Sequence, residues 1–247
     1  MIISHKHKFI FFKRYKVAGS SFEMAIADFC GDEDIISSLD NGKKSDSEMR
    51  KLYNVSRTQQ NTISSTFWKH MSFDEVKQHV KPSIYENYLK IATIRNPFDK
   101  AISIYYNKRA QDKNLTGQLA LPFNQQDFEI EPYNGKSLKN DSKLISENDV
   151  DFTIRFENFE YDIKSLEVKL GITGLYEKFK NIHVHSNRKI KGGFDSSLYS
   201  STQEKIHEHY RGAIKVRDYI LSLYQEVIEK HRYETPNCNR YEIPNCT

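Results

Sequence analysis

With 247 residues, 38% of them hydrophobic, and a net charge of +4, the chain has the material for one large soluble domain with a full core. The mild charge admits an anionic ligand, and the lack of any run of five basic residues argues against a nucleic-acid partner. No apolar stretch approaches the roughly 20 residues of a membrane span. The start of the chain lacks the layout of a signal peptide, and three cysteines without a C-x-x-C pair point to a reducing compartment. A soluble, cytoplasmic protein without an anchor or a metal cage is the expectation.

The first element is Phe9–Lys13, a short aromatic run suited to a buried parallel strand. Gly19, Ser20 and Ser21 interrupt it, and Phe22, Ala25, Ile26 and Phe29 follow at helical spacing. A helix is expected to start near Ser20, with serine in its ordinary capping role. Residues 31–66 are polar and weakly periodic. Phe73–Val80 reads as a short helix with Ser72 as cap and Glu75 at the capping-box position.

Leu89–Ile94 is a second buried strand, and Pro97 suits the first turn of a helix whose apolar face is Ala101, Ile102, Tyr105 and Tyr106. Residues 111–150, rich in Gln, Asn, Asp, Ser and Lys, read as a long surface insertion of the kind that forms substrate loops. Asp151–Phe156 is a third strand, and Phe159–Leu170 a helix closed by Gly171. Ser201–His231 reads as one long amphipathic helix. The tail is a duplication: Arg232–Asn239 is matched residue for residue, with two changes, by Arg240–Thr247. The organisation is therefore a single α/β domain over 1–231 and a flexible tail over 232–247. Strands alternating with helices imply a central parallel sheet flanked by helices, with ligands at the carboxyl ends of the strands.

Two segments at such ends are suited to phosphate. Lys16, Val17, Ala18, Gly19, Ser20 and Ser21 follow the first strand. Small residues at a helix start let backbone N–H groups approach an anion, the helix dipole adds favourable partial charge, and Lys16 supplies a point charge. The nucleotide-triphosphatase pattern G-x-x-x-x-G-K-[ST] is absent, since the lysine precedes the glycine. Arg95 follows the second strand, where its guanidinium can grip phosphate with two donors, and Ser103 lies two helical turns further on. Each has a plainer reading: a capped helix start, a structural salt bridge, a solvated serine.

Taken together, Lys16–Ser21 and the pattern R-N-P-x-x-K-x-x-S over Arg95–Ser103 resemble the sulfotransferase superfamily, nearest its carbohydrate branch with the uronosyl 2-O-sulfotransferases. The resemblance implies a P-loop-like three-layer fold and the donor 3′-phosphoadenylyl sulfate (PAPS), leaving 3′-phosphoadenosine 5′-phosphate (PAP), with no metal. On that resemblance Lys16–Ser21 binds the 5′-phosphosulfate, Arg95 and Ser103 bind the 3′-phosphate, and the basic loop with Arg188, Lys189, Gly192 and Gly193 closes over the donor. The segment Trp68–Phe73 resembles the family segment with a catalytic histidine before a short helix. It makes His70 the general base, a task suited to a near-neutral pKa, and Lys16 the stabiliser of the leaving oxygen. Arg155 and Glu157 fall where the family often carries cleft residues, although a salt bridge explains them as well. Tyr15 departs from the family's usual proline, and Lys100 from its usual arginine. The implied partner is a hydroxyl-bearing acceptor, a glycan by branch. A nucleotide or sugar kinase and an inactive polyanion-binding module are the rival readings.

Overall fold

The computed structural model describes residues 1–37, 66–109, 128, 138, 142, 149–182 and 203–238. The chain divides into two compact units, Met1–Arg95 with Lys143–Asn187, and Asn96–Ser142 with Arg188–Thr247.

The first unit holds the sheet. Its described strands are β1 (Ile2–Ser4), β2 (Phe9–Phe12), β3 (Ile35–Ile36), β4 (Leu89–Ile94) and β5 (Phe152–Arg155), in the spatial order β3-β1-β2-β4-β5. β2, β4 and β5 run parallel, while β1 pairs antiparallel with both β2 and β3. The three expected strands are thus the parallel part of a sheet that continues through an antiparallel edge.

Because side chains alternate along a strand, β2 serves two cores. Phe9 and Phe11 enter a cluster with Ile91, Ile154 and residues of α1 (Gly19–Ala27), α5 (Phe159–Leu170) and α6 (Leu175–Phe179). Ile10 and Phe12 enter the opposite one, with Met71, α2 (Phe73–His79) and partly buried residues of α3 (Pro82–Asn87). The result is a mostly parallel sheet between two helical layers. α2 carries the expected capping box, Ser72 accepting from the Glu75 amide and Glu75 from that of Ser72. Gly171, at φ 63°, closes α5 in the left-handed conformation that favours glycine.

The second unit is helical among its described residues. α4 (Pro97–Arg109) packs with α7 (Gln203–Tyr210) and α8 (Ile214–His231) around Phe98, Tyr105, Ile206, Tyr210, Val216 and Ile220. The expected single helix over 201–231 is two, because Gly212, at φ 78°, breaks it. α8 is kinked at Tyr224, whose hydroxyl donates to the Leu138 carbonyl at 2.9 Å. Phe128 and Leu138, from the segment read as a surface insertion, are buried in this core. The first copy of the tail repeat packs here too: Cys238 is buried, and its carbonyl accepts from Gly212 at 3.2 Å.

Phe11 is fully buried against the ring of Phe22, with centroids 4.8 Å apart. Phe11→Ala removes a ring that joins sheet and helix, and is expected to lower stability by roughly 3–5 kcal/mol, read from the midpoint of denaturant unfolding at unchanged slope.

Candidate active site at the ends of β2, β4 and β5

The turn after β2 is unusual in its backbone. Lys16 (φ 56°) and Ala18 (φ 54°) both occupy the left-handed region. For side chains with a Cβ this costs on the order of 1 kcal/mol each, and such outliers gather at functional sites. Ala18 is the N-cap of α1, and its methyl side chain makes no capping hydrogen bond. The helix starts at Gly19, one residue before the expected serine, and serine does not occupy the capping position. The usual side-chain cap of the N-cap position is thus missing at the positive end of the helix dipole.

Gly19 sits in a crowded place. A Cβ on it would meet Lys13 Cγ at 3.1 Å, the Arg14 carbonyl at 3.5 Å and Thr93 Oγ1 at 3.6 Å. The turn therefore lies directly against the ends of β2 and β4. The Thr93 hydroxyl is buried there without a hydrogen-bond partner among the described residues.

Arg95 leaves the end of β4 and is only 6% exposed. Its Nη1 donates to the Lys16 carbonyl at 3.3 Å, and its guanidinium lies 4.1 Å from the ring centre of Phe156. The fold thereby joins the two segments singled out from the sequence, Lys16 and Arg95. Phe156 was not among the expected site residues. Its signal lies in the register: β4 pairs Ile94 with Arg155, so the next residues of each strand, Arg95 and Phe156, emerge side by side. Ser103 belongs to the second unit, on α4, and is 4% exposed, so it is not a solvated helix residue. Arg188, Lys189, Gly192 and Gly193 lie outside the described residues. Arg155 is engaged in an ion pair, its Nε and Nη2 meeting Asp162 at 2.9 and 2.6 Å, as the plainer reading of that residue held.

His70 precedes α2, and its ring is fixed by two neighbours. Nδ1 lies 2.9 Å from the Lys13 carbonyl, and the ring stacks on Tyr15 with centroids 4.2 Å apart and planes 21° from parallel. A carbonyl only accepts, so Nδ1 carries the proton and Nε2 keeps its lone pair. Burial pushes the pKa down to about 4, and the charges of Lys13, the Met1 amine and Lys69 act in the same direction, against the Lys13 carbonyl bond. The near-neutral value expected from the sequence is thus corrected: the ring is neutral at physiological pH because it is desolvated.

Lys13 is itself held. Its Nζ meets Glu23 at 2.6 Å, and both side chains are buried. Glu23 also accepts from the Met1 amine and from Ser37 Oγ. Burial alone would raise the Glu23 carboxyl, but the Lys13 and N-terminal charges and hydrogen bonds hold it below its usual range. No cluster of His, Cys, Asp or Glu able to hold a metal occurs among the described residues.

Comparison with known families decides the class. The sequence model described as "Sulfotransferase family" matches residues 1–143, which contain Lys16, His70, Arg95 and Ser103. The chain belongs to the sulfotransferase family. Sulfuryl transfer is the chemistry that membership carries. A crystal structure of mouse sulfotransferase SULT7A1 complexed with PAP is similar at 15% identity, over 92% of this chain and 91% of that one, with a TM-score of 0.34. At so low a score, family membership rests on the sequence match. No curated protein sequence matches this sulfotransferase.

A pH titration follows from the His70 contacts. In the unfolded chain this imidazole takes its proton near 6.5, and in the folded protein only near 4. The folded state binds fewer protons between those values, so this group makes stability fall as pH drops through that window. In a 15N-histidine NMR titration the His70 ring should stay neutral, with Nε2 unprotonated, down to about pH 4; a midpoint at 6.5 contradicts the assignment.

Proposed function

We propose that this sulfotransferase moves a sulfuryl group from PAPS to a hydroxyl of a carbohydrate acceptor, with His70 as general base. The observation that carries this reading is the His70 ring. Nδ1 is committed to the Lys13 carbonyl, which leaves Nε2 as the proton acceptor, and Lys13 begins the turn that contains Lys16.

The residues present suit the donor's phosphates. The left-handed turn, the start of α1 behind its alanine N-cap, the Lys16 ammonium and the buried Thr93 hydroxyl beside Gly19 are the donors an oxyanion calls for. In this reading Lys16 through Ser21 hold the 5′ end and Arg95 takes the 3′-phosphate, to which family resemblance also assigns Ser103. Arg188, Lys189, Gly192 and Gly193 are assigned to the donor by family resemblance. PAPS supplies the sulfuryl group and the leaving phosphate.

The chain's own residues then have distinct tasks. Nε2 of His70 takes the proton from the acceptor hydroxyl as its oxygen bonds to sulfur. The bond from sulfur to the bridging phosphate oxygen breaks, and the electron pair stays on that oxygen. Lys16 and the α1 amides meet the charge that gathers there, where fixed donors outperform water. Arg95 contributes binding, and its hold on the Lys16 carbonyl keeps the turn in place. Positioning and electrostatics carry such a transfer, as in phosphoryl transfer.

Calorimetry with PAP, set beside ATP with Mg²⁺, tests donor identity; preferential binding of ATP rules the reading out. Labelled sulfate from PAPS, offered to a glycan panel that includes desulfated heparan and chondroitin, tests acceptor class. Lys16→Ala is expected to cut kcat by roughly 10²–10³, and His70→Ala by roughly 10²–10⁴. Arg95→Ala should weaken PAP binding by about 1.5–3 kcal/mol.

A further inference from the structure

We propose that Tyr15 is a positioning residue for proton transfer, its ring holding the His70 imidazole in place and shielding it from water. This rests on the reading of His70 as the general base.

Three observations point there. First, the stack is close and nearly parallel, at 4.2 Å and 21°, so Tyr15 lies against one face of the imidazole. Second, Tyr15 and Lys13 belong to one short stretch of chain, so a single segment fixes His70 from two directions: the Lys13 carbonyl in the plane of the ring, Tyr15 across its face. Rotation of the ring about its bonds would break one contact or the other. Third, Tyr15 is 39% exposed and lies outside the apolar clusters of its unit, so core packing does not account for its place.

Orientation gives the stack its use. Nε2 must stay aimed at the acceptor proton while Nδ1 stays on the Lys13 carbonyl, and a ring clamped across its face cannot swing away. The stacked ring also shields the imidazole from water, and with the charges of Lys13, the Met1 amine and Lys69 this keeps it neutral until the proton arrives.

The test uses the full chain with 15N-labelled histidine. Tyr15→Phe keeps the stack and is expected to retain the His70 titration and kcat. Tyr15→Ala exposes the imidazole, so its midpoint should rise from about 4 toward 6.5. In that variant kcat at pH 7 is expected to fall by about tenfold or more, because the base loses its fixed orientation, with PAP affinity within about twofold of wild type. A Tyr15→Ala protein with the wild-type His70 titration, a Phe variant as impaired as the Ala variant, or a loss of PAP affinity matching the loss of kcat would each overturn the proposal. Wild-type turnover in His70→Ala marks failure of the general-base reading instead, and leaves the titration shift in Tyr15→Ala as a separate result.

Discussion

The candidate site depends on one buried ion pair. Lys13 and Glu23 meet at 2.6 Å on either side of the turn between β2 and α1. Two desolvated charges are costly unless paired and hydrogen bonded, and Glu23 satisfies its second oxygen with the Met1 amine and Ser37. Closing the turn at its base leaves few ways for the intervening residues to run, and Lys16 and Ala18 take up left-handed backbone. Lys13 also lends its carbonyl to His70 and its side-chain stem to the wall against Gly19. His70, the turn that contains Lys16 and the start of α1 thus share one anchor.

The parallel register extends that arrangement across the sheet. With Ile94 opposite Arg155, the strands end level, and the first residues beyond them are forced together. Arg95 then spans from the Phe156 ring to the Lys16 carbonyl. This is the advantage of strand ends as binding sites: side chains distant in sequence meet there without any loop having to be long.

Much of this was legible in the sequence where the determining forces are local. Apolar runs marked β2, β4 and β5, the Ser72–Glu75 pair marked the start of α2, and Gly171 marked the end of α5. Elements fixed by distant partners were not. β1 and β3 are two short strands recognisable only by their pairing. Phe128 and Leu138 sit in a polar stretch whose composition hides two core residues. The break at Gly212 was obscured by an apolar stripe that continues through both α7 and α8. At the site, Lys16, His70 and Arg95 stood out by motif, whereas the Tyr15 stack and the low His70 pKa arise from burial, which no local spacing reveals.

The place of β2 in the sheet has a kinetic consequence. Its antiparallel neighbour, β1, is next to it in the chain, and that pairing closes only a short turn. Its parallel neighbour is remote: Phe9 lies opposite Leu89, and Ile91 in turn opposite Phe152. Closing such long loops slows folding, because their entropy is lost before the contacts form. β2 therefore stands at the seam between an early hairpin and a late parallel sheet. The turn that follows it acquires its wall at Thr93 and its brace at Arg95 only when the slow half arrives. A nascent or partly unfolded chain can thus hold the hairpin while the turn after β2 still lacks its wall and its brace, so ordering of that turn reports completion of the sheet.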